Sequence, residues 1–123
     1  MAPRPPDGAV GLLGVLSAKQ MGAGRIIAMS RHASRQKLAR EFGATDIVTE
    51  RGEKGIARIN DLTNGIGADS ALECVGTQES MTQAISSARK GGYVSYVGVP
   101  HGVDLNGEQL FVTHVQGLMR GAQ

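Results

Sequence analysis

Short apolar segments alternate with helical patterns along most of the chain. The strand pattern occurs at residues 25–29, 46–49, 69–75 and 93–99. The helical pattern occurs at residues 10–21, 34–42, 52–62 and 78–88. Parallel strands joined by helices form a right-handed, doubly wound sheet, and ligands bind outside the carboxyl ends of its strands. The alternation therefore predicts an α/β fold with a parallel, Rossmann-like sheet.

The segment Pro6-Asp7-Gly8-Ala9-Val10-Gly11 is similar to a dinucleotide-binding glycine turn, G-x-G-x-x-G, at the start of the first helix. Gly8 stands where the backbone approaches the phosphates, and Gly11 stands where the helix packs on the sheet. Pro6 replaces the first glycine, and residues 1–5 contain no apolar run that could form the preceding strand. We therefore expect an incomplete sheet whose first strand is missing. The predicted cofactor contacts in this turn are Gly8, Ala9, Val10 and Gly11.

The end of the predicted strand 25–29 indicates the type of cofactor. NAD-binding sheets carry an acidic residue about twenty residues beyond the glycine turn, which binds the ribose 2′-hydroxyl. Here Ser30 and Arg31 stand in that region, and both can bind a 2′-phosphate; Arg35 follows one helical turn later. These residues predict NADP, with NAD the less favoured cofactor. The alternative is that Arg31 and Arg35 are solvated residues at a helix start.

The length of 123 residues suits one domain, which we place at residues 1–123. The net charge of +2 comes from interspersed acidic and basic residues, so nucleic-acid binding is disfavoured. The sequence contains neither an apolar run of about 20 residues nor a signal-peptide pattern, which predicts no membrane partner and a cytoplasmic protein. Its one cysteine, Cys74, excludes an internal disulfide framework, and we interpret it as a small apolar strand residue.

Several short motifs follow one another at a specific spacing between residue 7 and about residue 115. They are Asp7-Gly8-Ala9-Val10-Gly11, Glu41-Phe42-Gly43-Ala44-Thr45-Asp46, Gly67-Ala68-Asp69, Glu73-Cys74-Val75-Gly76, and Gly91-Gly92-Tyr93 through Val97-Gly98-Val99-Pro100. Together they resemble the nucleotide-binding domain of medium-chain, zinc-type alcohol dehydrogenases. The resemblance implies the cofactor-binding domain of an NADP-dependent, alcohol dehydrogenase-like oxidoreductase. It also implies that two strand ends contact the cofactor: Cys74, Val75 and Gly76 on the adenine side, and Val97, Gly98 and Val99 on the nicotinamide side.

In that family the catalytic zinc is bound by a separate domain that precedes the glycine turn. We expect neither zinc nor a catalytic residue in this chain, which would then be an inactive fragment. The histidines His32, His101 and His114 are too dispersed to form a ligand set. The strand that follows the fifth in this family is also expected to be missing. Residues 103–115 could form a short helix, while residues 1–6 and 116–123 are interpreted as loose termini.

Other functions remain open at this point. A Rossmann-like scaffold or interaction module without cofactor is the main alternative, because a fold does not by itself specify a function. A methyltransferase would favour an acidic residue near Ser30, and a short-chain reductase would need a Tyr-x-x-x-Lys pair that neither tyrosine begins. Without the first strand, the strands at residues 25–29 and 69–75 would expose unpaired edges. Such edges predict self-association.

Overall fold

The computed structural model describes residues 9–96, 102–105, 107–108 and 116–120. The chain divides into two compact units, Met1–Arg51 and Gly52–Gln123. Both units combine helices with parallel strands. No helix in the described ranges is long and apolar enough to cross a membrane.

The first unit contains helix α1 (Ala9–Gln20), strand β1 (Ile27–Met29), helix α2 (Ala33–Phe42) and strand β2 (Asp46–Val48). The strands are parallel, with Ile27 opposite Asp46 and Met29 opposite Val48. Their helices contribute to a small core of buried residues. It consists of Leu12, Ile26, Ala39 and Ala44. The helices and strands predicted for this part of the sequence are confirmed, with strands shorter than the apolar runs.

β1 begins two residues later than predicted, and the two residues before it, Arg25 and Ile26, bind the start of β2 and the residue before it. The Arg25 Nε donates to Asp46 Oδ2 at 2.9 Å, and the Ile26 N–H donates to Thr45 Oγ1 at 2.9 Å. The Thr45 N–H in turn donates to the Ile26 carbonyl at 2.8 Å. The hydrogen bond from Arg25 lowers the pKa of the Asp46 carboxyl. These contacts align the starts of the two strands.

A glycine follows each helix of the first unit, where the helical patterns at residues 10–21 and 34–42 stop. Gly22 and Gly43 have φ values of 91° and 125°, in the region that disfavours residues with a Cβ. Apolar residues cover most of the surface of the predicted helix at residues 10–21, which predicts a largely buried helix. This prediction is wrong, since Leu13 is 56% exposed and Met21 just beyond α1 is 87% exposed. The core of this unit receives only the side of α1 that carries Leu12.

The second unit contains helix α3 (Gly52–Leu62), strand β3 (Ala68–Glu73), helix α4 (Gln78–Ser87), strand β4 (Ala88–Tyr96) and strand β5 (Gln116–Arg120). Its strands form a parallel sheet in the order β3-β4-β5. The core lies between α4 and this sheet, and its buried residues include Met81, Ile85 and Val94. α3 has the bounds that the sequence predicts.

Two predictions are wrong for β5: that residues 116–123 are a loose tail, and that the strand following the fifth is missing. This strand pairs in parallel with β4, with Ser95 opposite Met119 and Tyr96 opposite Arg120. Its sequence contains no β-branched residue and includes Gly117, so local propensity favours a strand only weakly. Hydrogen bonding to β4 compensates for that weakness. Residues 1–6, 121–123 and most of 103–115, for which a short helix is predicted, lie outside the described residues.

The strands of the described residues form two separate sheets, β1-β2 and β3-β4-β5. An incomplete sheet is expected from the sequence, and the doubly wound order places the gap between the segments that become β1 and β3. The neighbours within each sheet and their parallel directions agree with that order. The predicted α/β fold class is therefore confirmed.

Candidate functional site

The loop after β1 is held by hydrogen bonds from both sides. The Ser30 N–H donates to the Val48 carbonyl at 3.0 Å, which continues the pairing of β1 with β2. The Gln36 Nε2 of α2 donates to the Ser30 carbonyl at 2.8 Å. Arg31 follows Ser30 with an exposed side chain. The loop thus presents a cationic side chain from a fixed backbone at the carboxyl end of a strand.

The helix that follows this loop adds to its positive character. α2 begins after His32, whose side chain makes no capping hydrogen bond, and the first turn of α2 contains no acidic residue. Arg35 lies in that first turn and is half-buried. Helix N-termini attract anions because their first N–H groups and the helix dipole point outward. The predicted residues Arg31 and Arg35 therefore lie at one anion-attracting end of the first unit.

Ser30 is buried, unlike a surface serine that would donate a hydrogen bond directly to a phosphate. The residue is 4% exposed, and its hydroxyl accepts a hydrogen bond from the His32 N–H at 3.3 Å. The structure thus gives this hydroxyl a role in shaping the loop, while its predicted contact with a phosphate stays a prediction. Gln36, which donates a hydrogen bond to the Ser30 carbonyl, is not among the residues predicted from the sequence. No local pattern links a helix glutamine to a carbonyl six residues earlier.

The described part of the glycine turn is the start of α1. Ala9 and Val10 are the first residues of this helix, and Gly11 is half-buried in its first turn. α1 has no acidic residue in its first turn. Gly8 lies outside the described residues, as does the predicted nicotinamide-side segment Val97, Gly98 and Val99.

The loop after β3 places the predicted residues Cys74, Val75 and Gly76 in the second unit. Gly76 is buried and has a φ of 92°. The side chain of Glu73, the last residue of β3, is 1% exposed and accepts hydrogen bonds from the loop. Glu73 belongs to one of the sequence motifs, but no role is predicted for it there. A buried carboxylate that binds backbone amides is visible only in the structure.

Cys74 is half-buried in this loop. Burial, and after it the charge of Glu73, raises the pKa of the Cys74 thiol to about 11. The described ranges contain no group of three or more His, Cys, Asp and Glu side chains that could hold a metal ion. His101 and His114 lie outside those ranges.

We expect Cys74 to react slowly with iodoacetamide at pH 8 in the folded chain. Its raised pKa, about 11 against an ordinary 9.0, leaves about a hundredfold less thiolate, and the thiolate is the nucleophile. The rate should rise by about that factor when the chain is unfolded in urea. Mass spectrometry of the labelled protein measures both rates. Equal rates in the two states would contradict the burial of this thiol.

The chain matches the family model of the zinc-binding dehydrogenases over residues 9–122. It is 36% identical to an NADP-dependent isopropanol dehydrogenase of Clostridium beijerinckii, over 89% of this chain and 30% of that protein. The chain thus spans about 30% of the length of such curated relatives.

Solved structures give the same result. A zinc-dependent alcohol dehydrogenase of Streptococcus pneumonia superposes with a TM-score of 0.86 at 30% identity, covering 94% of this chain and 34% of that one. A zinc-binding dehydrogenase of Sinorhizobium meliloti bound to NADP superposes with a TM-score of 0.77 at 26% identity, covering 94% and 35%. The resemblance drawn from the sequence motifs is confirmed. The chain belongs to the zinc-binding dehydrogenase family and corresponds to its nucleotide-binding domain.

Proposed function

We propose that this chain binds NADP as the cofactor domain of an alcohol dehydrogenase-like oxidoreductase. The observation on which the proposal depends is the exposed Arg31 at the carboxyl end of β1, beside an α2 N-terminus without acidic residues. A 2′-phosphate distinguishes NADP from NAD and carries a charge of about −1.5 to −2 near neutral pH. Arg31, Arg35 and the helix dipole all attract that charge.

An acidic residue in this place would have the opposite effect. It would accept hydrogen bonds from the ribose hydroxyls of NAD and repel a phosphate. The NADP dependence of the Clostridium relative and the NADP bound by the Sinorhizobium relative support the same cofactor type. We propose Arg31 as the principal contact to the 2′-phosphate, with Arg35 and Ser30 beside it.

The other contacts in the proposal follow from the family resemblance. The glycine turn, Gly8 to Gly11, would hold the pyrophosphate at the start of α1. The loop Cys74, Val75 and Gly76 would contact the adenine side, and Val97, Gly98 and Val99 the nicotinamide side. The activity proposed for a whole protein with this domain is hydride transfer between NADP and an alcohol or aldehyde.

The test is calorimetric titration of the purified 123-residue chain with NADPH and NADH. We expect NADPH to bind about ten- to a hundredfold more tightly, because charge-assisted hydrogen bonds contribute about 1.5–3 kcal/mol. Equal affinities would contradict the assignment of NADP. Binding of neither dinucleotide would instead support the alternative of a scaffold without cofactor.

A further inference from the structure

Glu73 is a charged side chain that has been removed almost completely from solvent. It is the last residue of β3, lies opposite Tyr96 of β4, and is 1% exposed. A buried carboxylate is unfavourable unless hydrogen bonds replace its water shell. The hydrogen bonds of Glu73 therefore indicate what this side chain does in the fold.

One carboxylate oxygen of Glu73 accepts three hydrogen bonds. The donors to Oε1 are the N–H of Val75, the N–H of Gly76 at 2.6 Å and the Ser80 hydroxyl at 2.8 Å. Consecutive backbone N–H groups that converge on one anionic oxygen form a nest, and such turns commonly need one residue with positive φ. Gly76, with a φ of 92°, meets that requirement.

The contact through Ser80 extends this anchor to the next helix. Ser80 lies in the first turn of α4, and its N–H donates to Oγ1 of the N-cap residue Thr77 at 3.1 Å. The oxygen of Glu73 thus joins the end of β3, the loop after it and the start of α4. The other oxygen, Oε2, is buried and has no hydrogen-bond partner among the residues that the structure describes. Among the described residues, the hydrogen bonds that join these three segments all go to Oε1.

We infer that Glu73 is a positioning residue, whose Oε1 holds the amides of Val75 and Gly76 and so sets the backbone of the loop for the dinucleotide. This inference rests on the proposed function, in which Cys74, Val75 and Gly76 contact the adenine side. Glu73 itself acts through the loop backbone. Removing the Glu73 carboxylate should therefore lower the hydrogen-exchange protection of the Val75 and Gly76 amides and, with it, the affinity for the cofactor.

The experiment combines amide hydrogen exchange with NADPH titration on the full chain. In Glu73→Leu, which lacks any acceptor, we expect exchange at the Val75 and Gly76 amides to accelerate about tenfold or more, and NADPH affinity to fall about tenfold. Glu73→Gln retains an acceptor oxygen of the same reach, and both quantities should stay within about threefold of wild type. Exchange at Val94, a core residue of β4, serves as the internal reference.

Two further variants keep the test decisive if Glu73→Leu does not fold. Glu73→Asp retains a carboxyl group but shortens the side chain by one methylene, so it should lose amide protection. Ser80→Ala removes one donor to Oε1 without touching the loop amides, so protection at Val75 and Gly76 should persist. A loss of protection in Glu73→Gln equal to that in Glu73→Asp would overturn the anchoring role.

The outcomes separate the two proposals. Unchanged protection of Val75 and Gly76 in both Glu73→Leu and Glu73→Asp would overturn the inference, whatever the cofactor does. Lost protection with unchanged NADPH affinity would also overturn the inference, because the conformation of the loop would then not affect NADPH binding. A wild-type chain that binds neither dinucleotide would refute the proposed function and the link to cofactor, while hydrogen exchange would still decide the anchoring of the loop.

Discussion

Replacing Arg31 by alanine is expected to lower NADPH affinity about ten- to a hundredfold and to leave NADH affinity nearly unchanged. The guanidinium is exposed on a loop that Ser30 and Gln36 hold in place. Its fork of donors suits a phosphate, and only NADPH carries a phosphate on the 2′ position. The substitution therefore removes an interaction that one cofactor makes and the other does not.

Arg40→Ala is the matched control for this substitution. Arg40 is an exposed arginine in the last turn of α2, the helix that follows the Arg31 loop, so its removal changes the net charge equally but at the far end of that helix. Titration calorimetry with both cofactors should show an effect only for Arg31→Ala with NADPH. An equal loss for both cofactors, or an equal loss in Arg40→Ala, would mean that general charge accounts for the preference.

Gly67→Ala is expected to destabilise the chain by about 2–5 kcal/mol. Gly67 is buried between α3 and β3 and has a φ of 96°, which costs a residue with a Cβ about 1–2 kcal/mol. A Cβ there would also lie 2.9 Å from the Arg89 backbone nitrogen and 3.0 Å from the Arg89 Cα. These are backbone atoms of β4, so the strand would have to move.

Gly65→Ala separates the conformational cost of a positive φ from the steric cost of the added Cβ. Gly65 lies in the same turn with a φ of 79°, but an added Cβ would meet nothing within 4 Å. Its substitution should therefore cost only about 1–2 kcal/mol, the conformational part. Urea denaturation of both variants gives the two free energies of unfolding. Equal losses would show that β4 accommodates the methyl group without strain.

Local patterns in the sequence determined the order and type of most elements. Apolar spacing located α3 with the bounds it has, and the helical patterns at residues 10–21 and 34–42 stop just before Gly22 and Gly43, where glycine favours a helix end. The absence of an acidic residue near Arg31 is likewise evident from the amino-acid sequence. These features depend on residues within one or two turns of each other, so periodicity and turn propensity are sufficient to find them.

The tertiary structure alone decided which residues are buried and which distant groups meet. Gln116–Arg120 is a strand because β4 offers it a hydrogen-bonding edge, although its own sequence is a weak strand former. Leu13 stays exposed because the core covers one side of α1. Ser30 and Glu73 turn inward to bind backbone amides. Strand pairing, burial and converging hydrogen bonds depend on contacts that the whole fold creates, and no local pattern encodes them.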